Sequence, residues 1–220
     1  MEFFLRKIYP WLVEVASLSS VVPFLAAILL AFKHKSPLFR LLFVYVFIIV
    51  VMQAMGYIPV MLGTTNNLWA SHFSAVLEYG TLSVIFYRSF SRPVFKKGVA
   101  LFAIVFTLFS IWNAFYGDGY RQINTTAIMI ENSLLIVLIL LYFYKVANDM
   151  QITYLDQDPV FMLCCFLLIY KVGATMSYAM FNPALAVSYD TARMCISVLY
   201  ALMLLYHLSL ILVLKRTPLR

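Results

Sequence analysis

Seven long apolar stretches fill most of this 220-residue chain, each close to the roughly 20 residues a helix needs to cross about 30 Å of hydrocarbon. Such stretches exclude a soluble fold, because 64% hydrophobic and 11% charged residues leave too little polar surface to cover a domain in water. They also exclude a β-barrel, whose strands need only about ten residues of alternating polarity. In hydrocarbon, a segment that is apolar all round satisfies its own backbone hydrogen bonds only as a helix. The chain therefore reads as an all-α integral membrane protein, one domain over residues 1–220 built as a seven-transmembrane-helix bundle.

The expected spans are 11–32, 41–62, 73–90, 98–116, 125–146, 160–181 and 192–214, separated by polar and turn-forming residues. The first run is too long for the apolar core of a signal peptide and lacks a cleavage site, so it is expected to remain as a span. Basic residues in short loops set orientation. Lys33, Lys35, Arg40, Arg88, Arg92, Lys96, Lys97, Lys145, Lys215, Arg216 and Arg220 fall on one side, against Arg6, Lys7, Arg121 and Arg193 on the other. That asymmetry puts the N-terminus outside and the C-terminus in the cytoplasm. The formal charge of +7 is spread over these short loops, which argues against a nucleic-acid partner. The bilayer is the expected surrounding, and no loop is long enough to hold a catalytic domain.

Function is then to be sought among the few polar residues inside the spans, because an ionised group at membrane depth costs about 2.5 to 3.5 kcal/mol and turns toward the bundle interior. Candidates are Glu14, Gln53, Tyr57, Glu78, Asn113, Glu131, Lys171, Thr175 and Tyr178, with His207 in the inner half of the last span. Ser74, Glu78 and Thr81 share one helical face, as do Lys171, Thr175, Tyr178 and Asn182. If these stripes converge, the outer half of the bundle holds a polar cavity with three carboxylates, Glu14, Glu78 and Glu131, and one ammonium, Lys171. Such a set carries excess negative charge unless a proton, a cation or a cationic ligand completes it. Lys171 is expected to pair with Glu78 or Glu131. The competing reading is that the same groups only hold helices together, at under about 1 kcal/mol per contact. Pro23 and Pro59 are expected to kink the first two spans. Trp11, Trp69 and Trp112 fall near the outer edge, as interfacial aromatics do.

Other chemistries lack their residues. His34, His72 and His207 are expected at three separate places, so no zinc site forms from them, and no cofactor is indicated. Cys164, Cys165 and Cys195 lie within spans at neither zinc nor redox spacing and read as packing residues. No serine or cysteine has an evident base, and no glycine-rich loop offers a phosphate cradle, so the chain reads as no enzyme. Asn182-Pro183 is expected in the loop before the last span.

Several stretches resemble a group of small seven-helix membrane proteins of Bacteroidota, some encoded beside or fused to sensor histidine kinases. They are Leu77-Glu78-Tyr79, Trp112-Asn113-Ala114-Phe115 with Asn124-Thr125 and Glu131, Tyr142-Phe143-Tyr144, and Asp158-Pro159-Val160-Phe161 leading into Leu168-Ile169-Tyr170. The resemblance implies a bacterial inner-membrane protein acting as a sensory input module, with Glu78, Asn113 and Glu131 on the shared pattern and Lys171 at a position expected to be apolar. Together the residues point to a monomeric or homo-oligomeric receptor-like bundle that binds a small ligand or cation and engages a cytoplasmic signalling protein. The rivals are a proton- or cation-coupled transporter and a structural subunit of a membrane complex.

Overall fold

The computed structural model describes residues 3–63, 67–117, 119, 124–149 and 154–219, omitting the side chains of Val60, Asp149 and Asn182; Arg121 lies outside the described residues. Among these the chain forms helices and turns and no strand. A π-helical turn at Phe4–Ile8 runs into α1 (Tyr9–Leu18) and α2 (Val21–Ala31), which together make the first span. The others are α3 (Pro37–Met61), α4 (Trp69–Ser89), α5 (Pro93–Tyr116), α6 (Thr125–Asp149), α7 (Pro159–Val187) and α8 (Tyr189–Arg216).

Six of the seven spans are long and apolar enough to cross a bilayer on composition alone; α4 is not among them. It packs against α3, α5 and α6, so most of its surface meets protein and polar residues such as His72, Glu78 and Ser83 can be accommodated. By contrast, α5 turns Leu101, Ile104 and Leu108 outward, each at least 59% exposed. Apolar exposure on that scale, repeated around the bundle, fits hydrocarbon and not water.

Two ends can be distinguished. At the amino end the starts of α4 and α6 meet the end of α5: Asn124 N–H donates to Ser71 Oγ, and His72 Nε2 lies 3.2 Å from Gly119 O. At the carboxyl end His34 Nδ1 lies 2.9 Å from Thr217 O, clasping the α2–α3 turn to the C-terminal residues. There, too, Asp158 caps α7 by accepting from Val160 N–H, with Pro159 at the first helical position, where no donor is needed. Its other oxygen accepts from the Tyr142 hydroxyl at 2.6 Å, joining α6 to α7.

Two boundaries differ from expectation. The first span is interrupted at Ser19 and Ser20, one turn before Pro23, where a kink was expected. Pro23 has no N–H for the Ser19 carbonyl, which accepts from Val22 N–H at 3.1 Å instead, so the break falls one turn before the proline. The second difference is at the expected loop 182–191. Pro183 lies within α7, and the helix ends only where Ser188 adopts an extended backbone (φ −168, ψ 155). Ser188 Oγ then accepts from Thr191 N–H and caps α8, so a cap sets this boundary and the proline does not. The two helices pack closely: a Cβ on Gly173 would run into the Leu202 side chain.

Candidate functional site

Lys171 of α7 reaches two carboxylates at once. Its Nζ lies 2.8 Å from Glu78 Oε1 on α4 and 3.1 Å from Glu131 Oε1 on α6. The side chains of Lys171 and Glu131 are 4% and 2% exposed, and Glu78 is the most open of the three at 13%. Nζ also lies 5.5 Å over the Tyr170 ring, a cation–π contact on the same helix. Fully ionised, the cluster has two negative charges and one positive. At an effective dielectric of about 20, each contact supplies roughly 5 to 6 kcal/mol of gross attraction. Removing three ions from water costs several kcal/mol each, so the cluster is close to neutral as a source of stability. Its residual negative charge is its chemical property: it has room in its charge balance for one proton or one small cation.

A band of tyrosines lies beside it. The Tyr45 and Tyr206 hydroxyls are 2.6 Å apart and both rings are buried, while Tyr170 stacks on Tyr206 with centroids 5.0 Å apart and planes 5° from parallel. Tyr45, Tyr170, Tyr178 and Tyr206 all lie within electrostatic reach of Glu78. His207 does as well, and its Nδ1 meets Ser19 Oγ at 2.8 Å, so the break in the first span faces this histidine. Ser19 Oγ donates to Ala16 O at 2.6 Å, which satisfies a carbonyl at the interrupted helix end.

The other candidates are dispersed, and the cavity with three carboxylates is corrected to a cluster with two. Glu14 is exposed on the bundle surface, and Tyr57 is 47% exposed on α3. Gln53 Nε2 reaches Met203 Sδ at 3.4 Å. Asn113 is buried and donates to Asn124 Oδ1 at 2.9 Å, tying the end of α5 to the start of α6. Thr175 Oγ1 donates to Lys171 O, and in the α4 stripe Ser74 and Thr81 likewise bond to carbonyls one turn back. Of the proposed set, Tyr178 stays near the cluster. Sequence reasoning missed Ser19, Tyr45, Tyr170 and Tyr206. The Tyr206-His207 pair inside an apolar run was a signal available for α8 alone, and α3 and α7 offered none.

No family model matches the chain, and no curated protein and no solved structure matches it either. The chain is a helical polytopic membrane protein whose buried ionic cluster joins α4, α6 and α7.

Proposed function

We propose that the chain is a non-enzymatic, receptor-like module of a bacterial inner membrane that takes up one proton or one small monovalent cation at Glu78, Glu131 and Lys171. In this reading the N-terminus is outside, the C-terminus is cytoplasmic, and a signalling protein reads the state of the carboxyl end. The observation that carries it is the uneven charge: two carboxylates share one ammonium at 2.8 and 3.1 Å, away from water. A group needed only to glue helices would work as well as a neutral pair, whereas an unmatched charge makes occupancy by a cation consequential. The route to the cytoplasm is supported by α7, which bears Lys171 and packs along α8, whose last residues are held to the α2–α3 turn through His34.

The test uses purified full-length protein in nanodiscs. Proton uptake is followed by the infrared band of a protonated carboxyl, and binding of Na⁺ and K⁺ by calorimetry. One equivalent of positive charge per chain, lost in Glu131→Gln, supports the reading; no uptake of either kind between mildly acidic and alkaline pH overturns it. A second reading, a cation-coupled carrier, is favoured by the interrupted first span facing His207, since broken helices mark substrate sites in transporters. Flux into proteoliposomes that disappears in Glu78→Gln would select it.

A further inference from the structure

Six buried side-chain polar atoms have no hydrogen-bond partner among the described residues: His72 Nδ1, Tyr79 Oη, Ser83 Oγ, Ser110 Oγ, Asn124 Nδ2 and Asn132 Nδ2. Every one belongs to α4, α5, α6 or the residue immediately before α6. Buried groups elsewhere, including Ser19, Tyr45, Tyr206, His207 and Ser209, are bonded, so the pattern is local to one seam. The Tyr79 hydroxyl does approach Ser83, one turn further along α4, short of a full hydrogen bond.

The six are arranged in depth. At 1.5 Å per residue, Asn124 and His72 lie within about 5 Å of the amino end, Ser110 and Asn132 about 9 to 10 Å in, Tyr79 about 15 Å and Ser83 about 21 Å. His72, Tyr79 and Ser83 share one face of α4. The Tyr79 ring packs at 4.8 Å on Phe106, one turn from Ser110 on α5, and α4, α5 and α6 pack on one another. Glu131 precedes Asn132 directly and lies within electrostatic reach of Tyr79. Toward the carboxyl end the seam becomes apolar: Phe86, Phe90 and Tyr142 pack with ring centroids 6.4 Å apart, and all three are buried.

Buried polar groups are satisfied by protein or by ordered water, and a polar lining with several free donors and acceptors is the setting in which water is retained. We infer that a hydrated half-channel runs between α4, α5 and α6 from the amino end to the level of Glu131 and Tyr79, closed below by the aromatic cluster. Its ligands are water molecules and the proton or small monovalent cation that moves with them. The route explains how the occluded cluster is reached from one side only. It rests on the proposed function for its cargo and on the six orphaned atoms for its existence.

Radiolytic hydroxyl-radical footprinting of the full chain in nanodiscs tests it, because radicals form from water and oxidise the side chains beside it. Tyr79 and Tyr45 are equally buried, at 1% and 0% exposure, and serve as probe and control. The expected result is oxidation of Tyr79 on the order of tenfold faster than Tyr45, reduced to the Tyr45 rate in Ser110→Val/Asn132→Leu. Equal rates in the wild-type protein overturn the half-channel. Fast oxidation of Tyr79 without cation uptake at the cluster leaves the half-channel standing and removes the proposed function; the reverse outcome does the opposite.

Discussion

Replacing Lys171 by methionine keeps all but one atom of the side chain's length and removes the one positive charge between two carboxylates. At 2.8 and 3.1 Å the lost attractions are about 6 and about 5 kcal/mol before solvation is counted, at an effective dielectric of about 20. The lysine no longer has to be desolvated, which returns several kcal/mol, but Glu78 and Glu131 are left beside each other without a counter-charge. The net expectation is a loss of about 3 to 5 kcal/mol, the usual result of breaking a buried pair from one side. Glu131→Gln is the control: it leaves the Lys171–Glu78 pair and removes only the surplus charge, so stability stays within about 1 kcal/mol of wild type.

The assay is SDS-driven unfolding in mixed micelles, followed by tryptophan fluorescence, at alkaline and mildly acidic pH. The Lys171→Met deficit is expected to be greater at alkaline than at mildly acidic pH. It shrinks on acidification, as a proton does what the ammonium did. Equal stabilities of Lys171→Met and Glu131→Gln at alkaline pH would refute the charge argument, because the two variants differ by two units of cluster charge. They would show instead that the contacts at 2.8 and 3.1 Å are interchangeable with apolar packing.

Three further substitutions test the elements that hold this site. Ser19→Ala removes the partner of His207 Nδ1 and the donor to Ala16 O, and unfolding should show a loss of about 0.6 to 1.7 kcal/mol, with Ser19→Ala/His207→Ala losing less than the sum of the two single variants. Gly173→Val sets a branched side chain against Leu202, and overpacking of about 1 to 3 kcal/mol should lower the thermal midpoint, which Leu202→Ala partly restores. Asp158→Ala removes both the α7 cap and the acceptor of the Tyr142 hydroxyl; a loss of about 1 to 2 kcal/mol is expected, larger than that of Tyr142→Phe.

The spans were legible because hydropathy depends on composition over some 20 residues and tolerates errors at single positions. Glu78, Glu131 and Lys171 were legible for a related reason: opposite charges in hydrocarbon have strong cause to meet, wherever their helices stand. Which way a neutral polar residue faces was harder to read. Tyr57, Gln53 and Asn113 lie on helices that are apolar on nearly every side, so no periodicity distinguished a face toward the cluster from one toward lipid or a loop. The tyrosine band was hidden by abundance, since Tyr45, Tyr170 and Tyr206 are three of 15 tyrosines and look like the packing residues around them. Asn182-Pro183 imitated a loop, while the real boundary depended on the backbone of Ser188, which hydropathy does not report. The break at Ser19 and Ser20 was legible only through Pro23, one turn further on, since two serines scarcely lower the hydropathy of the first span.

A cluster of this kind can signal only if its occupied and empty states favour different helix arrangements. Lys171 is bound from two sides, by α4 through Glu78 and by α6 through Glu131, and α6 packs on both α4 and α7. When a cation neutralises Glu131, the ammonium loses its attraction toward α6 and keeps the shorter contact to α4. The expected movement is therefore of α6 relative to the α7–α8 pair, with α4 staying in place. Glu131→Gln imitates the occupied state permanently. Spin labels at Ala147 near the end of α6 and at Lys215 near the end of α8, both exposed, report that separation in a background with Cys164, Cys165 and Cys195 replaced. Electron–electron double resonance should show the Glu131→Gln distribution displaced from wild type by more than its width, and wild type at acidic pH moving toward it. Superimposable distributions in all three conditions would mean that the ionic cluster fastens helices without communicating its state to the carboxyl end.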